Sequence, residues 1–243
     1  MSSLLYDELV PYYRLIDPVA DHEVEAATYH EALTGAIAGR AESLLELGSG
    51  GGHNAHYLRQ HYNCTLSDIS EPMLALSRDL NPDCEHEVGD MRSLRLDRTF
   101  DAVLLHDAVV YMTDETQLRE ALETAFVHTR PGGAAIVAPD YFRETFKEET
   151  QLIQGNDRRR HLRCIEWTWD PDPNDTTYTV DYALLLREDN DAMQSFHDVH
   201  VEGLFPRDTW TGLLADIGYE VEIIPGTVGD AMTIELLRCR RPA

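Results

Sequence analysis

Lysine is nearly missing from this 243-residue chain: of its 20 basic residues only Lys147 is a lysine, and they face 44 aspartates and glutamates, for a net charge of −24. A nucleic-acid partner requires clustered Lys and Arg to neutralise phosphates, so this balance argues against one. A field of one sign could concentrate a cationic ligand. The acids, however, run along the whole chain, and with lysine so scarce they read as adaptation to a cytosol at high salt, where the Debye length contracts to about 3 Å at 1 M; the expected source is halophilic. Cysteine is also scarce. Cys64, Cys84, Cys164 and Cys239 lie far apart with no C-x-x-C pair, which argues against disulfides and a structural zinc. No apolar run approaches the roughly 18 residues that span a bilayer. The segment Met1-Ser2-Ser3-Leu4-Leu5-Tyr6-Asp7 lacks a basic region and a cleavage pattern, so a cytoplasmic protein without a membrane partner is expected.

What is present is a run of glycines. Leu44-Leu45-Glu46-Leu47-Gly48-Ser49-Gly50-Gly51-Gly52 reads as a strand that ends in an acid and turns through residues able to take left-handed dihedrals and approach a ligand closely. In the dinucleotide pattern G-x-G-x-x-G, counted from Gly48, the last glycine would fall on His53, so that pattern fails. The observed E-x-G-x-G-x-G resembles motif I of the class I S-adenosylmethionine (SAM) methyltransferases. Asp68 ends a second strand, Cys64 to Asp68, about 20 residues beyond the turn, where a ribose-binding carboxylate is expected. Val88-Gly89-Asp90-Met91 follows a third strand; Phe100 to His106 reads as a buried fourth, and Arg130-Pro131-Gly132-Gly133 precedes a fifth at Ala134 to Ala138.

Helical segments at Glu71 to Leu80 and Glu115 to Thr129 alternate with these strands, which implies a doubly wound, mostly parallel α/β sheet with ligand at the carboxyl ends of its strands. Two N-terminal helices, the second from Glu23 to Ala38, precede it. Residues 162–169, 177–187 and 193–205 are rich in Val, Thr, Tyr and Trp and read as a three-stranded antiparallel cap. Pro206 to Ile217 reads as a helix stopped by Gly218, and residues 219–224 and 232–239 as two final strands. The expected fold is a Rossmann-like, seven-stranded methyltransferase fold with an antiparallel β cap after the fifth strand. Its core would comprise residues 1–140 and 206–243, and its cap residues 141–205.

The stretches Gly89-Asp90-Met91-Arg92-Ser93-Leu94-Arg95-Leu96, Phe100-Asp101-Ala102-Val103 and Ser195-Phe196-His197-Asp198-Val199-His200-Val201-Glu202-Gly203-Leu204-Phe205 resemble the deoxyamino-sugar N,N-dimethyltransferases of macrolide biosynthesis. The resemblance implies SAM as cofactor and a small-molecule methyl acceptor, most simply an amine such as an amino sugar. It places Glu46, Gly48, Gly50, Gly52, Asp68, Ile69, Met73, Asp90, Met91 and His106 around the cofactor, with Tyr13 over the sulfonium. Tyr111, just beyond the fourth strand, stands where the family has a Tyr or His, to accept the amine proton or orient the nucleophile; a plain core tyrosine is the alternative. His106 could take a proton or contact the methionine part of the cofactor. On the substrate side stand Tyr12, Asp107, Tyr141, His197 and His200, and since the two histidines are three apart on a strand only one can face the pocket. His53 and His56 read as a solvated helix face, and no metal is expected. Where the family carries Gly-Arg-Gly, this chain has Val228-Gly229-Asp230-Ala231, which weakens the case for an anionic nucleotide sugar; Arg158-Arg159-Arg160-His161-Leu162-Arg163 offers phosphate donors from another direction. An O-methyltransferase and a non-catalytic SAM-binding regulatory protein are the other readings, and a homodimer is compatible with all three.

Overall fold

Alternation along each strand builds the main sheet. In the computed structural model, which describes residues 3–37, 39–189, 191–228 and 232–243, strand β1 (Ser43–Leu47) sends Leu45 and Leu47 to one face and Leu44 to the other. The same division holds in β4 (Phe100–His106) and β5 (Thr129–Ala138): Val103, Leu105 and Val137 join Leu45, whereas Leu104 and Ile136 join Leu44. All eight of these side chains are fully buried, and each contributes roughly 1.5–3 kcal/mol of transfer free energy. Strands buried on both faces in this way suit a largely parallel, helix-covered sheet. Accordingly β1 pairs in parallel with β4 and with β2 (Asn63–Asp68), β2 with β3 (Glu85–Val88), and β4 with β5.

The crossovers are α3 (His53–Leu58), α4 (Glu71–Leu80) and α5 (Glu115–His128). Their starts are written locally. Ser70 accepts the Met73 N–H at 3.2 Å and Asp114 accepts that of Gln117 at 2.9 Å, caps that contribute about 1 kcal/mol each.

After β5 the chain builds a separate antiparallel sheet of four strands, β6 (Glu149–Asn156), β7 (Arg160–Trp169), β8 (Thr177–Glu188) and β9 (Gln194–Gly203). Three strands were expected. β6 escapes a reading by composition because it is an edge strand whose only buried residue is Gly155. A Cβ there would sit 2.0 Å from the carbonyl oxygen of Leu15, so only glycine admits the N-terminal segment. That segment, a 3-10 turn at Val10–Tyr12 running into α1 (Tyr13–Ile16), lays Leu9 and Leu15 on Leu162, Cys164, Leu184 and Leu186 of the cap. It therefore joins core to cap rather than belonging to the core alone. A second 3-10 turn, Val19–His22, leads into α2 (Glu23–Ala36); the expected end of that helix at Ala38 lies outside the described residues.

The chain returns to the core through α6 (Arg207–Ile217), stopped as expected by Gly218 at φ 120°, and closes with the antiparallel pair β10 (Glu220–Val228) and β11 (Met232–Arg240). β11 lies antiparallel to β5, giving the order β10-β11-β5-β4-β1-β2-β3. Strand order reverses at β1 and β4. Their carboxyl ends, Leu47 and His106, open the crevice where ligands of such sheets bind.

Candidate active site

The glycine turn leaves β1 at that crevice. Gly48, Gly50 and Gly52 have φ of 78°, 51° and 72°, a region costly for other residues. At Gly48 a Cβ would stand 2.4 Å from Ala108 Cβ and 2.8 Å from Met91 Cε, so Gly48 lets the segment beyond β4 close on the turn. Gly52 was expected to border the cofactor, but its open side faces α4: a Cβ would meet Ser77 Oγ at 2.3 Å, and Asn81 Nδ2 donates to its carbonyl at 2.8 Å.

Asp68 ends β2 opposite the turn. Its Oδ2 accepts the Gly50 N–H and its Oδ1 the Ser70 N–H, both at 2.8 Å; burial pushes its pKa up while these amide bonds pull it down. Ile69 beside it is 69% exposed, Met73 is fully buried under Gly50, and Met91 is nearly buried. Asp90 is held by its own neighbour, with Arg92 Nε 3.0 Å from both carboxylate oxygens. That pairing depresses the Asp90 pKa.

At the end of β4, His106 Nε2 lies 3.1 Å from Glu46 Oε1 and its Nδ1 3.3 Å from Asp107 Oδ2. Burial opposes charge on this imidazole, but Asp107, Glu46 and Glu25 together raise its pKa well above the ordinary value. Behind it runs a chain of acids and imidazoles. Asn54 and His22 Nδ1 share Glu25 Oε2, at 2.8 and 2.9 Å, and Asp17 bonds His22 Nε2 at 2.7 Å and His53 Nδ1 at 3.0 Å. His53 is thus 4% exposed, not the solvated surface expected; the N-terminal segment covers it, with Tyr13 tilted over it at 5.6 Å. Asp17, His22 and His53, and likewise Glu25, His106 and Asp107, lie close enough to share a cation, yet most of these donors already bond to one another.

The third set of residues comes from three directions. Tyr6 and Tyr111 hydroxyls are 2.9 Å apart, Tyr111 Oη is 2.7 Å from His200 Nδ1, and His200 Nε2 is 3.1 Å from Asp198 Oδ2. Asp198 also accepts from Ser3 Oγ and Leu5 N–H, both at 2.8 Å. Burial works against ionisation of Asp198, but these bonds and His200 depress its pKa overall, so it is an acceptor and Nε2 carries the histidine proton. Nδ1 is then bare, and Tyr111 must donate to it. Burial lowers the His200 pKa, with Asp198 opposing, and raises that of Tyr111 well above the phenol value.

Tyr6, Asp198, Glu202 and Asp140 escaped the sequence reading. Asp198, His200 and Glu202 alternate along β9 and are buried, a period-two signal that was available. The same alternation puts His197 on the outer face, 63% exposed and bonded to Asp181 at 2.6 Å, so it does not line the site with His200. Tyr12 also points away: its hydroxyl donates to Glu188 at 2.5 Å and Arg160 lies over its ring, fixing α1 to the cap. Tyr141 donates to Glu149 at 2.7 Å and packs edge-on against Tyr178. Asp107, at φ 40°, opens the 3-10 turn Ala108–Tyr111 and is half exposed; such a dihedral costs of order 1–3 kcal/mol and clusters at functional sites. The departure at Asp230 lies outside the described residues.

A methyltransferase-domain family matches residues 44–133. A dTDP-3-amino-3,6-dideoxy-alpha-D-glucopyranose N,N-dimethyltransferase from Streptomyces fradiae is 30% identical over 227 residues, covering 90% of this chain and 86% of its own length. A dTDP-3-amino-3,4,6-trideoxy-alpha-D-glucopyranose N,N-dimethyltransferase from Streptomyces venezuelae is 28% identical over 188 residues, 76% of this chain and 78% of that protein. Among solved structures, Streptomyces venezuelae DesVI superposes with a TM-score of 0.80 at 23% identity, covering 97% of this chain and 96% of that one. The sugar N-methyltransferase KedS8 from a Streptoalloteichus species gives 0.80 at 22% identity, covering 100% and 95%; likeness at such identity speaks for the fold. The chain belongs to the SAM-dependent methyltransferases, in the family of the deoxyamino-sugar N,N-dimethyltransferases. It is therefore an enzyme with SAM as cofactor, and the non-catalytic reading falls. The residues fit that cofactor: a turn of positive-φ glycines at the carboxyl end of β1, a carboxylate that holds it, and an exposed apolar side chain, Ile69, beside them.

Proposed function

We propose that this enzyme methylates the nitrogen of a small amine, and that Tyr111 and His200 remove its proton. In this reading Asp68 accepts the ribose hydroxyls and Asp90 the adenine amino group, between Ile69 and Met91. Glu46, Gly48, Gly50 and His106 border the methionine part, and Tyr13 covers the sulfonium. SAM supplies an electrophilic methyl group; the rest falls to the chain.

An amine reaches the site as an ammonium and needs a free lone pair to attack. The observation that carries the proposal is the run Tyr6–Tyr111–His200–Asp198. As Tyr111 passes its hydroxyl proton to His200 Nδ1, its oxygen takes the proton leaving the nitrogen, and Asp198 stabilises the resulting imidazolium. General-base assistance of this kind typically contributes about 10²–10⁴ in rate. His106 is a poor base by comparison, because its acidic neighbours keep it protonated; it serves as the counter-ion that keeps buried Glu46 in place. Carboxylate O-methylation is disfavoured because an anionic acceptor would meet Asp107, Asp140 and Glu202.

Residues 141–205 form the substrate cap in this proposal, with Tyr141 at its edge. A cytoplasmic, halophilic setting is supported by the charge of −24. No described helix is long and apolar enough to cross a membrane. A homodimer through the outer cap face is supported by Leu152, Ile165, Trp167, Val199 and Val201, all about half exposed or more. The deciding experiment is transfer of labelled methyl from SAM to a panel of amines, alcohols and carboxylic acids. Product carrying the label on nitrogen is expected; label confined to oxygen overturns the proposal.

A further inference from the structure

Two of the four free cysteines face each other at the edge of the main sheet. β2 and β3 run parallel in a register that sets Thr65 against Glu85 and Leu66 against His86. One step toward the amino ends, the same register sets Cys64 against Cys84, at the bend that opens β3. Neighbouring strands lie about 4.8 Å apart, which falls within the roughly 4.4–6.8 Å between α-carbons that a disulfide spans. The two side chains also share a face of the sheet. Cys64 points with Leu66, two positions on, into the apolar cluster that holds Tyr29 and Leu58, and Cys84 packs against that same cluster.

The two thiols differ in access and in surroundings. Cys84 is half-buried and Cys64 is buried. Contact with Cys64 lowers the Cys84 pKa and, although burial, Glu46 and Asp83 oppose, the Arg59 guanidinium adds to the fall. Arg59 donates to the His56 carbonyl at 3.3 Å, and its Nη1 lies 3.6 Å from Asp83, the residue before Cys84. The same contact and burial raise the pKa of Cys64. A reachable thiol of lowered pKa beside a sheltered second thiol is the arrangement found in redox-responsive pairs. Cys164 and Cys239 are fully buried elsewhere. Cys164 lies in the cap, and Cys239 is on β11, four strand spacings or about 19 Å from β2.

We propose that Cys64 and Cys84 form a reversible disulfide when a peroxide reaches the enzyme, and that the bridge fastens β3 to β2. The Cys84 thiolate attacks one oxygen of hydrogen peroxide, the O–O bond breaks, and the departing hydroxide takes up a proton to become water. Cys64 sulfur then attacks the sulfur of the sulfenic acid so formed. The S–S bond forms, the S–O bond breaks, and the Cys64 proton leaves with that oxygen as a second water. Two electrons pass from the two thiols to one peroxide, and a dithiol reverses the change. β3 is where such a bridge has most to hold, because it is the outermost strand and buries little of its own surface. From Cys84 to Asp90 the chain covers about 20 Å at roughly 3.3 Å per residue, so the bridge ties the strand at the end away from the cofactor crevice.

The test is treatment of the intact, folded enzyme with hydrogen peroxide, followed by thiol counting and non-reducing peptide mass spectrometry. Two of the four thiols should disappear, the linked peptide should join Cys64 to Cys84 within one chain, and dithiothreitol should restore both thiols. The oxidised enzyme should melt several degrees above the same sample after dithiothreitol, since the bridge closes a loop in the unfolded chain; affinity for S-adenosylhomocysteine should not change. In Cys64→Ser the reactive thiol has lost its partner, so dimedone should trap Cys84 as the sulfenic acid. In Cys84→Ser, Cys64 should stay reduced. Absence of the linked peptide, a link between two chains, loss of Cys164 or Cys239 in its place, or an oxidised enzyme that melts no higher than the reduced one overturns the inference.

Discussion

Tyr111 Oη and His200 Nδ1 are 2.7 Å apart, although one residue follows the fourth strand of the core and the other lies on the last strand of the cap. Core and cap are therefore joined by this hydrogen bond at the proposed point of chemistry. Tyr111→Phe keeps the ring and removes the relay. It is expected to lower kcat by about 10²-fold or more with little change in KM, and His200→Gln should match it. The double variant should lose no more than either single one, because both act as a unit. Steady-state kinetics over the three variants checks this; additive losses would separate the two residues.

The legible parts of this site were local in sequence. The glycine turn and Asp68 at the end of β2 each sit in a short stretch whose chemistry can be read along the chain. Tyr6 was not legible. It is one aromatic in a helical-looking segment, and contacts distant in sequence, Leu15 over Gly155, Tyr12 on Glu188 and Ser3 and Leu5 on Asp198, bring that segment to Tyr111. The same holds for His53, which reads as helix surface until Asp17 arrives from 36 residues away. β6 was missed for a different reason, since an edge strand buries little and has no apolar alternation to detect.

Asp68→Ala removes a carboxylate that both fixes Gly50 and is the proposed partner of the ribose hydroxyls. Two hydrogen bonds to a charged group at roughly 1.5–3 kcal/mol each predict a loss of at least about 100-fold in affinity for SAM and S-adenosylhomocysteine. Calorimetry measures it directly, and near-normal affinity would remove Asp68 from the cofactor site.

His22 sits between Asp17 and Glu25, and although burial opposes its charge, those two acids raise its pKa to about 10. A histidine raised on folding contributes stability that is fully present below its unfolded value, about 6.5, and is lost as pH rises through the folded one. The melting temperature should therefore fall between pH 6.5 and 10, and His22→Gln should flatten that slope while lowering stability at pH 6. Glu25 is lowered to about 2, again against burial, through its bond with His22 and the charge of His106. Its contribution is present above its unfolded value and is lost only as pH falls through the folded one.

A net charge of −24 on 243 residues opposes the folded state by self-repulsion, and salt relieves it by shortening the Debye length from about 10 Å at 0.1 M to about 3 Å at 1 M. The melting temperature is expected to rise steadily as KCl increases from dilute to molar. A steady fall would reject the halophilic reading.

Gly203 ends β9 one residue beyond Glu202, and a Cβ there would stand 2.2 Å from the carbonyl oxygen of Met112 and 2.7 Å from Phe205 Cε2. The first contact is backbone, which cannot swing aside as a side chain would. Gly203→Ala must push the cap away from the segment that carries Tyr111, at a cost of about 1–3 kcal/mol typical of overpacking. Displacement of His200 from Tyr111 by even a fraction of an ångström weakens the proposed relay, so kcat should fall while affinity for S-adenosylhomocysteine, whose proposed site is at the glycine turn and Asp68, is unchanged. Gly212 in α6 provides the contrast, because a Cβ added there meets nothing within 4 Å and its backbone is helical. Gly212→Ala should stabilise the protein by about 0.4–1 kcal/mol through the unfolded chain, with kcat unaltered. Thermal melts and turnover measured on both variants test the pair of outcomes, and a neutral Gly203→Ala would show that the cap is not held against Tyr111 at this contact.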